Sequence, residues 1–201
     1  MRADRCRRRQ DFPMPLSAVS PASARNVLCR FRRNRKGSAA VEFALVAPVF
    51  FALLFAIIET ALVFFAGQVL ETVTQDSARM IMTGQTQGAG LTQAQFKTFV
   101  CSESGVNVLF DCLNGIYIDV KSYPTFANVA ITNPIDANNN FLPVMSYSTG
   151  GPCAVVIVRL FYQWPLFVTG LGYNIANLTG SKRLLSATAA FRNEPYNGSC
   201  P

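Results

Sequence analysis

Sixteen residues without a charge, FALVAPVFFALLFAII, occupy positions 43–58; Glu59 interrupts them, and TALVFF carries the apolar run on to Phe65. As a helix these 23 residues rise about 35 Å, enough to cross the hydrocarbon core of a bilayer. Fifteen of them are Leu, Ile, Val or Phe, and at about 0.3–0.6 kcal/mol each they favour insertion by roughly 4–9 kcal/mol. Glu59 lies off-centre and costs no more than about 2.5–3.5 kcal/mol, so insertion wins. The run is apolar on every face, unlike the stripe of a soluble core helix. Pro48, in its first third, frees one carbonyl and permits a kink.

The pattern then changes. In GQVLETVTQDSARMIM (67–82), Val69, Leu70, Val73, Ser77, Met80 and Ile81 recur at intervals of three and four, with Glu71, Gln75, Asp76 and Arg79 between them. This spacing predicts that the membrane helix continues as an amphipathic one, about 40 residues in all. Its stripe is expected to hold a globular head; a groove for a partner helix is the alternative. GQTQGAG (84–90) ends the helix. Gly88 and Gly90 match only the start of a dinucleotide fingerprint, without a preceding strand or a third glycine in place, and that reading is discarded. Residues 91–100 predict a short second helix, with Leu91, Ala94, Phe96, Phe99 and Val100 on one face.

Alternating and β-branched runs predict strands at 116–123, 153–164 and 182–192, the second closed by Pro165. Residues 126–140 read as a loop with a weak strand near 128–131, and 166–180 as an apolar loop. The expected fold is α+β: a long N-terminal transmembrane and amphipathic helix packed on a small antiparallel sheet.

Charge refines this outline. The net charge is +7, yet residues 1–36 carry eleven Lys/Arg against Asp4 and Asp11, or +9, which leaves the remaining residues at −2. A nucleic-acid arm is one reading of such a run. Placed before an apolar helix, the run reads better as the flank that keeps the N-terminus in the cytoplasm, since Arg79 is the only basic residue within 20 positions after the segment. A cleaved signal peptide fits poorly, because the apolar run exceeds the usual length and no A-x-A site follows it.

The chain has no histidine. That excludes Ser-His-Asp and Cys-His catalysis and His-ligated zinc. Carboxylate catalysis would have to draw on Glu103, Asp111, Asp119, Asp136 and Glu194, and no spacing marks two of them as a pair. Neither an enzyme nor a cofactor or metal site is expected. Of the six cysteines, Cys6 and Cys29 lie on the leader side, whereas Cys101, Cys112, Cys153 and Cys200 lie beyond the helix, an even number suited to an oxidising compartment. Four cysteines allow three pairings. Cys101 with Cys112 is the local choice, which leaves Cys153 with Cys200; a Cys₄ zinc site has no support in the spacings.

At the junction the sequence reads RRNRKG-SAAVEFALVAPVF. Gly37 ends the basic leader, small residues follow, and Glu42 and Phe43 come five and six positions later. This resembles the processing site of type IV prepilins, above all that of the TadE-like pseudopilins of tight-adherence (Flp) pilus systems. The 101–112 stretch CSESGVNVLFDC, the run Tyr162-Gln163-Trp164-Pro165 and the closing Phe191-Arg192-Asn193-Glu194-Pro195-Tyr196 resemble the family too. The leader is longer than the family pattern, and Met14 offers a second start.

The resemblance implies cleavage by a prepilin peptidase between Gly37 and Ser38, and a pilin-like head. It also implies that Glu42, with Phe43 beside it, meets the N-terminal amine of a neighbouring subunit. Elementary chemistry agrees: the Gly37-Ser38-Ala39-Ala40 bond is unhindered, and an acid at the membrane edge needs a cation. Glu59 either faces other helices in an assembly or sits near the far interface.

The expected organisation is a basic leader (1–37), a transmembrane helix (38–66) and a periplasmic head (67–201), in a bacterial inner membrane with the N-terminus cytoplasmic. The expected function is that of a minor pseudopilin supporting pilus assembly. Its expected partners are the lipid membrane, a prepilin peptidase, other pilin or pseudopilin subunits and the assembly platform, with no nucleic acid. The rivals are an uncleaved single-pass periplasmic module and an organelle-imported membrane protein, whose transit peptide would resemble the acid-poor leader.

Overall fold

The computed structural model of the chain describes residues 37–102, 106–169, 173–196 and 200. Helix α1 spans Ser38–Met82 and continues through Pro48. Short helices α2 (Gln85–Gly88), α3 (Gln93–Ser102), α4 (Val106–Leu109) and α5 (Cys112–Gly115) lead into strand β1 (Ile116–Tyr123). A 3₁₀ turn at Phe126–Asn128 and a long irregular excursion precede β2 (Val155–Pro165), and β3 (Lys182–Arg192) closes the fold. The sheet is antiparallel in the order β1-β2-β3, with Asp119 opposite Arg159 and Arg159 opposite Thr188. This is the expected α+β architecture, with β1 and β3 at the expected limits.

Two periods meet on this core. Along α1 the buried positions are Val63, Ala66, Leu70, Val73, Thr74, Ser77, Ala78 and Ile81, at intervals of three and four. The apolar ones among them join Ile118, Val120, Val156, Val158, Leu160, Leu185, Ala187 and Ala189 of the sheet in one cluster. The chain's own sheet therefore occupies the amphipathic stripe, which removes the alternative of a partner-helix groove there. Met80, expected on the stripe, is half-buried at its edge, and Thr74 and Ala78 take the inner positions. Thr74 is tolerated because its hydroxyl donates to the Leu70 carbonyl at 2.7 Å.

Earlier on α1 the picture is different. Phe43, Leu45, Val49, Phe50, Leu53, Ile57 and Ile58 are all exposed, and the helix is long and apolar enough to cross a membrane.

Helix α3 begins two residues later than the spacing suggests. Thr92 and Gln95 form a reciprocal cap: the Thr92 amide donates to Gln95 Oε1 at 2.9 Å, and the Gln95 amide donates to the Thr92 hydroxyl at 3.4 Å. The weak strand expected near 128–131 is absent; that segment is irregular, touching the sheet end where the Tyr123 hydroxyl donates to the Ala130 carbonyl at 3.0 Å.

Disulfides join Cys101 to Cys112, with Cα atoms 5.6 Å apart, and Cys153 to Cys200, 5.5 Å apart. The first closes the turn between α3 and α5. The second ties residue 200 to the entrance of β2, where Cys153 holds a left-handed φ of 64°.

Candidate functional site

The leader lies outside the described residues, and the junction itself begins at Gly37. Gly37 is exposed, and a Cβ built on it meets nothing within 4 Å. Glu42 and Phe43 follow on the first turns of α1, both exposed. Four residues separate Ser38 from Glu42, which places them on one helical face. Within the single chain no hydrogen bond or ion pair among the described residues reaches Glu42.

Glu59 is arranged in the opposite way. It lies one turn before Val63 on the inner face of α1 and is only 7% exposed. Its carboxylate accepts the backbone amides of Phe167 and Val168, with Oε1 3.2 Å and Oε2 3.1 Å from the Val168 nitrogen. Thr60, the next residue, bonds through its hydroxyl to the Tyr173 hydroxyl and donates to the Ala56 carbonyl at 2.7 Å. Of the two roles considered for Glu59, facing other helices is not what the structure shows: the acid fastens its own chain's apolar loop to α1. The signal was in the sequence, since Glu59 continues the 63-66-70 series backward by four and 166–181 is free of charge. Neither fact singles out the pair without the fold.

The closing FRNEPY stretch is a clasp. The Arg192 guanidinium donates to the Cys153 carbonyl at 2.9 Å, and the Asn193 amide group donates to the carbonyls of Thr149 (3.0 Å) and Gly151 (2.9 Å). The Glu194 amide donates to the Met82 carbonyl at 2.9 Å, satisfying an end of α1. The Tyr196 ring lies over Gly84, where φ is 75° and a Cβ would stand 2.5 Å from the ring. Only glycine fits there.

Three of the carboxylates weighed as catalysts, Asp111, Asp119 and Asp136, are engaged in the scaffold. Asp119, 1% exposed, takes Arg159 at 2.6 and 3.1 Å and the Ser146 amide and hydroxyl at 2.9 Å each. Burial opposes its charge, but the bonds from Arg159 and Ser146 outweigh burial and hold the carboxyl below its ordinary range. Asp136 is held low by the Asn140 amide and side chain, and Asp111 accepts from Asn114 at 3.1 Å. Glu103 lies outside the described residues.

Residues 37–79 match the family model of the TadE-like protein. The match covers the junction glycine, Glu42, the apolar run, Glu59 and most of the amphipathic stripe. It is the family that the junction motif resembles. No curated protein and no solved structure matches the chain.

Proposed function

We propose that the chain is a minor pseudopilin that supports assembly of a Tad/Flp-type pilus, acting by helix–helix association and not by catalysis. One observation carries this reading: the glycine–acid–phenylalanine junction, the exposed apolar helix and the TadE-like match fall on the same residues, 37–79. The basic leader keeps the N-terminus on the cytoplasmic side of a bacterial inner membrane, and the disulfide-bearing head lies in the periplasm. A prepilin peptidase cuts between Gly37 and Ser38, leaving a new amine one helical turn from Glu42. The Glu42 carboxylate, without a partner among the described residues, then pairs with the amine of a neighbouring pilin or pseudopilin. In hydrocarbon such a pair relieves the cost of two uncompensated charges.

The mass of the mature N-terminus tests the reading directly. A chain beginning at Ser38 is expected, and an intact Arg-rich leader would favour the uncleaved anchored module instead. Gly37→Leu should block cleavage without disturbing the fold, because the space around Gly37 is open. Glu42→Ala should be cleaved yet fail to enter the assembly; normal incorporation of that variant would refute the amine-pairing role.

A further inference from the structure

We infer that the loop after β2 is a second membrane contact: Phe167 enters the outer interface of the bilayer, held there by Glu59. This rests on the membrane helix of the proposed function and goes beyond it by fixing where the span ends. Phe167 is 86% exposed, the largest exposure of any aromatic side chain described. It follows Pro165 and lies in a segment, 164–181, that holds no charged residue. The part of α1 flanking Glu59 is apolar as well, with Ile58, Leu62 and Phe65 exposed.

An irregular apolar loop is costly at a lipid surface, because its amides lose water without gaining a partner. Here that objection is met. The amides of Phe167 and Val168 are both taken by the Glu59 carboxylate, and Tyr173 is bonded to Thr60. Tyrosine beside an apolar tip is the composition of an interfacial belt. Glu59, an expensive acid within hydrocarbon, is shielded by the loop it holds.

The spacing agrees. Residues 39–58 rise about 30 Å, the thickness of the hydrocarbon core. The span therefore ends at Glu59, and residues 59–65 run beside the seated loop within the interface.

The experiment uses the full chain in phospholipid vesicles whose acyl chains carry bromine, a contact quencher, near the headgroup or near the chain end. Trp164, the single tryptophan, is replaced by Phe, and one tryptophan is introduced at a time: Phe167→Trp, Phe50→Trp within the span, or Phe126→Trp at the opposite end of the sheet. A tip buried only about 5–10 Å predicts roughly twofold quenching of the position-167 tryptophan by shallow bromine and less by deep bromine. The tryptophan at 126 should keep its emission. Adding Glu59→Leu should release the tip and abolish the quenching at 167, while Glu59→Gln, which still accepts an amide, should keep most of it. Quenching at 50 without quenching at 167 would overturn the inference and leave the span intact. No quenching at either position would overturn the membrane reading itself. Unchanged quenching at 167 in Glu59→Leu would remove Glu59 from the proposal.

Discussion

Replacing Asp119 by Leu should be among the most damaging single changes in the head. Asp119 and Arg159 face each other across β1 and β2, and both are buried, at 1% and 6% exposure. Removing the carboxylate leaves the guanidinium with the Thr132 carbonyl at 2.9 Å as its only hydrogen-bonded partner among the described residues. A buried charge stripped of its partner costs about 3–5 kcal/mol, a large share of the roughly 5–15 kcal/mol that holds a typical domain folded. At a urea slope of about 2 kcal/mol per molar, the unfolding midpoint should fall by about 2 M. Trp164, half-buried against Phe110 with ring centroids 6.0 Å apart, reports the transition by its emission in detergent micelles. The double variant Asp119→Leu/Arg159→Met should recover most of the loss, because no buried charge is then left unpaired; Lys121, 3.7 Å from the same carboxylate, is 30% exposed and keeps water.

Acid gives a second readout with a definite sign. Because the folded carboxyl is held low, its contribution is complete above the unfolded value of about 3.9 and is lost as pH falls through the folded value. The wild-type midpoint should be flat near neutral pH and fall below about pH 4. Asp119→Asn should show a shallower fall, the remainder coming from Asp136. A midpoint shift under about 0.5 M in Asp119→Leu, with an unchanged acid slope in Asp119→Asn, would refute a dry, coupled pair.

Three further changes test other contacts. Gly84→Ala forces a Cβ into a left-handed turn and against the Tyr196 ring; a loss of about 1–3 kcal/mol is expected, with the chain after β3 becoming sensitive to limited proteolysis, and wild-type resistance would argue against the clasp. Tyr147→Phe removes a buried hydroxyl that has no partner and whose ionisation burial pushes up to about 12, while keeping the ring 5.7 Å from Phe96; stability should stay level or rise by up to about 1 kcal/mol, and a loss by urea titration would show a hidden bond. Loop closure assigns about 4 kcal/mol to Cys153–Cys200, which spans 47 residues, and about 3 to Cys101–Cys112, which spans 11; the paired Cys→Ser variants should fall in that order in thermal melts, and the reverse order would contradict the loop-closure account.

Much of the fold was legible because its periods are strong. The switch from all-round apolarity to a three-four stripe marks where α1 turns from an exposed helix into the backing of a sheet. The β-branched runs give β1 and β3 their limits. Strand β2 starts at Val155 and not at Cys153, because Cys153 takes a left-handed turn after Gly150-Gly151-Pro152 that no propensity encodes. The start of α3 was readable from Thr92 and Gln95 at capping-box spacing, a signal that the apolar face at Leu91 obscured. What stayed hidden depends on pairing. Asp119 and Arg159 are 40 positions apart in sequence and become neighbours only when the strand register is set. The Glu59 contact with Phe167 and Val168, 108 and 109 positions apart, needs the loop to be folded back onto α1.

The two acids in the apolar half of α1, Glu42 and Glu59, show why an identical side chain in one helix does two different things. Glu42 is exposed and has no hydrogen-bonded or ionic partner among the described residues; under the proposed function it is the acid left for a neighbouring subunit. Glu59 is spent within the chain on two amides and holds the loop after β2 against α1. The two acids are 17 positions apart in the sequence, which as an ideal helix is about 26 Å against a hydrocarbon core of roughly 30 Å, so under the proposed function each would lie near an edge of the core, where a carboxylate costs least.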